Sequence, residues 1–476
     1  MTIKLEVDKP EILQSIKDTI DTQIDYDSFY SGLNFTLNLD FYPNFDIFGC
    51  WNSNCQDALN FSHLGSFQQK TLSEIIKSTE GDIIKKIRFL LGDNIYYDKK
   101  LKELRTKYQD ELNNLTINDD KREFDGYNFI QLTKDLINNG FDCFTKVPSF
   151  MVLGNHDVIY PFILQYQIMK CFNDTDFIIN GNQIEFGNWI MPNAFYSVKI
   201  NIHDISLLFL IIDTNLLESD EYINFFNKAK KDEYIKKMIE WFEKTLQDNK
   251  NSIKIVMGHI PIFFYSHIKE KKDKGEKKEK DKDKDKDKEK EKEKEKEKEK
   301  EKGEKKEKKE KSPVQSRDKN VFLNIYELMI KYDVTTYMCA DEHNMQVLQD
   351  LEHSINHIIC GASPGGGGSD EAYNLDEKNL YFSNKYIIVP ELEIKFNKKI
   401  IINAPSFTHL IIHPTLLQFN LISLSDLVLH HKEEYCKDKK CKQSIPEAQI
   451  YDIITIPKYR DLIAVYDCTK FNEKYC

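Results

Sequence analysis

Four short stretches set metal-ligating side chains directly after apolar runs: Leu91-Gly92-Asp93-Asn94-Ile95-Tyr96, Gly154-Asn155-His156-Asp157, Gly258-His259-Ile260-Pro261 and Asp341-Glu342-His343-Asn344. Before them stand Ile87–Leu91, Phe150–Leu153, Ile253–Met257 and Thr336–Cys339. Each run is short, mostly apolar and closed by glycine or alanine, which predicts a buried strand handing the chain to a loop. Polar groups at the carboxyl ends of such strands are where α/β sheets gather ligands. If the four loops converge, they offer carboxylate, amide, imidazole and phenol donors to a hard or borderline metal such as iron, zinc or manganese. Singly, each is equally a Gly-Asp turn or a packed histidine, so the inference rests on the set.

Loops converge only if strands and helices bring them together. Phe45-Asp46-Ile47-Phe48 reads as the first strand, ending in Gly49-Cys50-Trp51-Asn52. Helical spacing from Thr71 to Lys77 then leads into the Asp93 strand, a β-α-β crossover. Helices are expected near Phe129 to Ile137, over the amphipathic Tyr160 to Phe172 and around Ile239 to Phe242. Strands are expected at Phe195 to Val198, Ile205 to Ile212, Phe407 to His413 and Leu417 to Ser423, the last two as an antiparallel closing pair.

The chain has 476 residues. Length alone allows about three domains, but motifs reaching from Asp93 to His343 that close one site argue for a single large domain at 43–430. Residues 1–42 lack a clear period and read as an amino-terminal extension leaning on it, and 431–476 as a cysteine-bearing tail. Residues 97–125 form a charged insertion. Residues 269–312 are almost only Lys, Glu and Asp, a composition with nothing to bury that predicts a solvated, disordered tract. It is either a neutral expansion or a screen for partners at the rim of the site. Gly361 to Gly368 lacks the Lys-Ser/Thr ending of a phosphate loop and reads as a flexible loop near the site.

A net charge of −11 gives no basic field for nucleic acid or an anionic membrane. No apolar run reaches the ~18 residues that cross a bilayer. The amino terminus lacks an apolar signal core, from which a cytoplasmic location is expected, although the family resembled below is often secreted or vacuolar. The 10 cysteines are too dispersed for a small disulfide scaffold. Most are expected to be buried thiols, with Cys436, Cys441, Cys468 and Cys476 open to a zinc knot or two disulfides.

The order GDN-x-Y, GNHD, GH-x-P and a final HN resembles the calcineurin-like metallophosphoesterases, and within them the tartrate-resistant type of purple acid phosphatase. The likeness runs from about residue 43 to 425 and includes Asp213-Thr214 and Asn344-Met345-Gln346. It implies an α/β fold, a four-layer sandwich of two packed mixed β-sheets flanked by helices. It also implies two metal ions, iron with iron, zinc or manganese. Asp93 bridges them, with Tyr96 and His343 on the first and Asn155 and His259 on the second. His156 then meets the substrate phosphate and assists the leaving group, and His267 is a candidate for the family's further acid–base residue.

Two positions depart from that pattern. Cys50 stands where the family has an aspartate on the first metal, and Asp341 where it has a histidine on the second. Each is either a replacement ligand or, respectively, a buried thiol and a loop acid. The implied activity is phosphate-monoester hydrolysis by a metal-activated water, altered or reduced by these changes, on a phosphorylated small molecule or protein. The alternative is a degenerate pseudophosphatase that binds or scaffolds a protein, as in glideosome-associated relatives of apicomplexan parasites.

Overall fold

The computed structural model describes residues 3–11, 26–50, 86–94, 147–157, 175–179, 182–186, 189–218, 228–265, 316–361, 380–382, 387–388, 396–402, 406–414, 416–424, 448–457 and 464–467. The expected helices at 71–77, 129–137 and 160–172, the 97–125 insertion, the Lys/Glu tract, the Gly-rich loop beyond Gly361 and the four tail cysteines lie outside them.

With strands numbered along the chain, an eight-stranded sheet runs β22 (Ala464–Asp467), β21 (Ala448–Pro457), β20 (Leu416–Leu424), β19 (Ser406–Ile412), β3 (Asn44–Phe48), β4 (Lys86–Leu90), β5 (Ser149–Met151), β8 (Trp189–Ile190). An eleven-stranded sheet runs β18 (Phe396–Ile402), β14 (Met345–Asp350), β15 (Asn356–Cys360), β13 (Thr336–Cys339), β11 (Ile253–Met257), β10 (Ile205–Ile211), β9 (Tyr196–Ile202), β2 (Leu33–Leu39), β1 (Ile3–Val7), β6 (Thr175–Ile179), β7 (Asn182–Phe186). A small third sheet joins β12 (Phe263–Tyr265), β16 (Leu380–Phe382) and β17 (Ile387–Ile388). The helices among the described residues are α1 (Tyr26–Phe29), α2 (Asn215–Glu218), α3 (Lys228–Asp248) and α4 (Ser316–Lys331). Both large sheets are mixed, as the resemblance implies.

Each of the four motifs follows a buried strand. β3, β4 and β5 are parallel, with Phe48 opposite Leu90 and Leu90 opposite Met151, so Cys50, Asp93 and Asn155 emerge side by side. In the other sheet β11 and β13 are parallel, with Met257 opposite Met338, so the His259 and His343 loops leave together. Strands with both faces covered read as near-continuous apolar runs, which is why these four were recognisable.

The sheets meet through aromatic rings. Phe89 of β4 stacks on Phe209 of β10 at 4.5 Å between centroids, and Phe45 of β3 lies 5.2 Å from the same ring. Each such ring buries a large apolar area, and the contact adds about 0.5–1.5 kcal/mol beyond that burial. On the opposite face of β3 and β4 from these rings, the buried Asp46 is balanced by Lys86 Nζ at 2.7 Å and His409 Nδ1 at 2.9 Å. That pairing keeps a carboxylate tolerable inside the sheet.

Two regions carry more regular structure than their sequence suggested. Within residues 1–42, β2 is inserted in the larger sheet beside β9, and its Leu33, Phe35 and Leu37 are buried at alternate positions. The seven-residue alternation is too short to stand out against the irregular stretch before it. In 431–476, β21 and β22 extend the smaller sheet from β20.

Candidate metal centre

Glycine and left-handed backbone shape the floor of the site. Cys50, Asp93 and Asp341 have φ of 55°, 51° and 59°, each costing about 1–3 kcal/mol that neighbouring bonds must hold in place. Cys50 N donates to Gly92 O at 2.9 Å, and Gly49 N to Cys360 O at 3.0 Å, fixing the first turn. Gly92 has φ 89°, and a Cβ there would lie 2.6 Å from His259 Nδ1. A Cβ on Gly154 would collide with the backbone and carboxylate of Asp93. The first two motif loops therefore touch backbone to backbone.

Asp157 stitches those loops together. Its carboxylate accepts from Asn94 N at 3.0 Å, Asn94 Nδ2 at 2.9 Å and Gly154 N at 2.8 Å. Burial, and then the nearby charge of Asp93, push its carboxyl up to about 7. Asn94 also donates to Val152 O at 2.9 Å. Neither role was read from the motif text, although Asp157 belongs to GNHD. The sequence shows only an acid two residues beyond the expected ligand, and its burial, which makes it a stitch, is visible in the structure alone.

Asp93 sits at the centre, buried, with its two oxygens turned to different neighbours. Oδ1 lies 3.2 Å from His259 Nε2 and accepts His156 N at 3.0 Å, whereas Oδ2 lies 3.9 Å from Cys50 Sγ. Burial opposes its ionisation, yet His259 and His156 hold its pKa well below the usual carboxylate range.

His259 is fully buried and held by its backbone and its ring. Its N–H donates to Thr214 Oγ1 at 3.0 Å, which also takes the N–H of Ile260 at 2.9 Å. Thr214 follows β10 just as the motif residues follow their strands, a signal of the same kind. Ring atom Nδ1 lies 2.8 Å from Leu91 O, which directs Nε2 at Asp93, at Asn155 Oδ1 (3.2 Å) and at Asp341 Oδ1 (3.7 Å). A backbone carbonyl on one ring nitrogen is the usual orienting partner of a metal-binding histidine. Burial depresses its basicity, but the Asp93 carboxylate overcomes this and raises it to about 9.

On the other side of Asp93, ligand atoms of Cys50, Asp93 and His343 all lie within 4.8 Å of one another. Burial lowers the His343 pKa, leaving the imidazole neutral and able to ligate. The site thus gathers Cys50, Asp93, Asn155, His259, Asp341 and His343 around one carboxylate, with His156 beside it, its side chain 46% exposed. Tyr96 and His267 lie outside the described residues.

The calcineurin-like phosphoesterase family model matches residues 44–345, a span holding every one of these side chains. The chain belongs to the calcineurin-like phosphoesterase family. As such it is 21% identical over 222 residues to tartrate-resistant acid phosphatase type 5 of Oryctolagus cuniculus, covering 46% of this chain and 49% of that one. The chain spans about half the length of the curated relatives it matches. Among solved structures, GAP50, the anchor in the inner membrane complex of Plasmodium, aligns with TM-score 0.44 and 15% identity over 86% of this chain and 88% of that one. Purple acid phosphatase PPD1 from Lupinus luteus seeds aligns with TM-score 0.40 and 14% identity over 89% and 56%.

For this calcineurin-like phosphoesterase the donor chemistry fits a metal centre. Thiol, carboxylate and imidazole ligand atoms of Cys50, Asp93 and His343 converge on one side, and on the other the oxygens of Asp93, Asn155 and Asp341 lie 3.2, 3.2 and 3.7 Å from His259 Nε2. Among the described residues, no helix is long and apolar enough to cross a membrane.

Proposed function

We propose that this chain is a metal-dependent phosphoesterase that hydrolyses phosphate monoesters at the Asp93 site. The observation that carries the reading is the divided carboxylate of Asp93, one oxygen facing His259 and the other Cys50. Cys50, Asp93 and His343 would hold one metal ion, with Tyr96 completing that set by family likeness. Asn155, His259, Asp341 and Asp93 would hold the other.

Bound there, such ions supply positive charge and an ionised water for in-line displacement at phosphorus. The chain's residues do the rest. Asp157 keeps the Asp93 and Asn155 loops in register, and Leu91 O aims the His259 ring. His156 stands at the exposed edge, its Nε2 4.0 Å from Asp93 Oδ2, where an imidazole can bind the phosphate and pass a proton to the departing alkoxide. His267 is a second acid–base candidate on family likeness alone. The substrate class is a phosphorylated small molecule or protein side chain.

The test is hydrolysis of an aryl phosphate by the purified full chain across pH, with iron, zinc or manganese. Metal-dependent turnover that disappears on chelation and in Asp93→Asn is expected. The Cys50 and Asp341 departures favour a second reading, a member that has lost turnover and binds a protein partner. If wild type stays at background with metal bound while Cys50→Asp combined with Asp341→His raises the rate, that second reading replaces the first.

A further inference from the structure

The two departures from the family's ligand set fall on opposite sides of Asp93. Cys50 lies on the Oδ2 side with His343, and Asp341 on the Oδ1 side with His259 and Asn155. One exchange replaces an oxygen donor by sulfur, and the other replaces a nitrogen donor by oxygen. Each would pass as drift if it stood alone. Together they sort the centre by donor softness, because every soft atom is now on one side and the carboxylate gained is on the other.

We propose that this division makes the centre heterodinuclear, with a zinc-selective position at Cys50, Asp93 and His343 and a manganese-type position at Asp93, Asn155, His259 and Asp341. The inference rests on the two-metal reading of the site, but does not require turnover. Thiolate ligands select zinc over harder ions, and a zinc–sulfur bond of about 2.3 Å accommodates a sulfur set farther back than an oxygen ligand. Carboxylate and amide oxygens with a single imidazole suit manganese.

Cys50 is placed for this role rather than merely packed. Its sulfur faces Asp93 Oδ2 from a fully buried position, on a left-handed backbone (φ 55°) held by the hydrogen bond to Gly92 O. An ordinary core thiol would need neither that backbone nor a carboxylate and an imidazole beside it. Asp341 has the same kind of backbone, with φ 59°, and turns Oδ1 toward His259 Nε2.

The experiment strips the full-length protein of metal, dialyses it against equal zinc and manganese, and counts both by mass spectrometry. One zinc and one manganese per chain are expected. Reloading the stripped protein with cobalt should give a near-ultraviolet sulfur-to-cobalt charge-transfer band. Cys50→Ser and Cys50→Asp, checked for folding by circular dichroism, should lack the band and lose zinc-over-manganese preference by about tenfold or more. Cobalt bound without the band in wild type, or an unchanged zinc-to-manganese ratio in Cys50→Asp, overturns the assignment. The band with no aryl phosphate turnover removes the hydrolase reading and leaves this one. Turnover without the band does the reverse, and a chain that binds no metal removes both.

Discussion

Asp93 Oδ1 lies 3.2 Å from His259 Nε2, two buried side chains that the chain delivers from different β-sheets. In the metal-free protein this is an ion pair. Burial works against the imidazolium, but the carboxylate wins and lifts His259 to about 9. A proton therefore occupies the position from which a metal would be ligated.

Metal uptake should release that proton. Below about pH 9, affinity at the His259 position should rise with pH, approaching tenfold per unit where a single proton is displaced. Calorimetric titration with manganese in buffers of different ionisation enthalpy should count close to one proton at pH 7. A proton count of zero would show that His259 is neutral before metal arrives.

Asp93→Asn keeps the shape and one oxygen but removes the charge shared between the two sides. Bound metal should fall by at least one ion per chain, and aryl phosphate turnover to roughly one hundredth or less. Elemental analysis and initial rates read the two effects separately.

Asp157→Ala removes the acceptor of the buried N–H groups of Asn94 and Gly154. A loss of about 2–4 kcal/mol in unfolding free energy is expected by urea titration. Metal content should fall as well, because the Asp93 and Asn155 loops lose their stitch.

Asp46 should shape the acid limb of stability. Burial opposes its charge, but the hydrogen bond from His409 and the charges of Lys86 and Arg88 hold its pKa below the ordinary value. A depressed carboxyl stabilises the fold above its unfolded pKa of about 3.9 and loses that contribution as pH falls through the folded value. Urea midpoints of wild type should drop as pH falls below about 4, and Asp46→Asn should show a lower midpoint at neutral pH with a shallower acid decline.

Tyr326→Phe tests a polar contact away from the centre, the phenol of α4 donating to the buried Asp350 carboxylate. About 1–3 kcal/mol of stability should be lost with metal content unchanged. A fall in metal content would mean that α4 and the His343 loop are mechanically coupled.

Much of the centre was legible because its ligands follow apolar strands that had to be buried. The sequence alone thus places Asp93, Asn155, His259 and His343 on loops that follow buried strands. The bonds that hold them were not legible. Thr214 binds two backbone N–H groups, and Asp157 binds donors from two loops. A single Thr or Asp in text looks the same whether it faces water or a buried amide. The left-handed turns at Cys50, Asp93 and Asp341 are hidden too: aspartate adopts positive φ more readily than most residues, but the preference is too weak to mark a particular position, and a cysteine gives no such sign. β2 is hard to read in sequence because a seven-residue alternation is a weak signal without a neighbour such as β9.

Tyr265, the last residue of β12, has its backbone N and O both engaged by the amide of Gln346, at 2.8 and 2.9 Å. In sequence it stands just before the Lys/Glu tract, and Gln346 only three residues after His343. Clamped there, the chain leaves the centre from a fixed mooring, and closing a longer excursion costs only about 0.6 kcal/mol per doubling of its length. A change in the length of that tract therefore adds little to the cost of closing the loop, and the Gln346 amide keeps hold of Tyr265 whatever that length is.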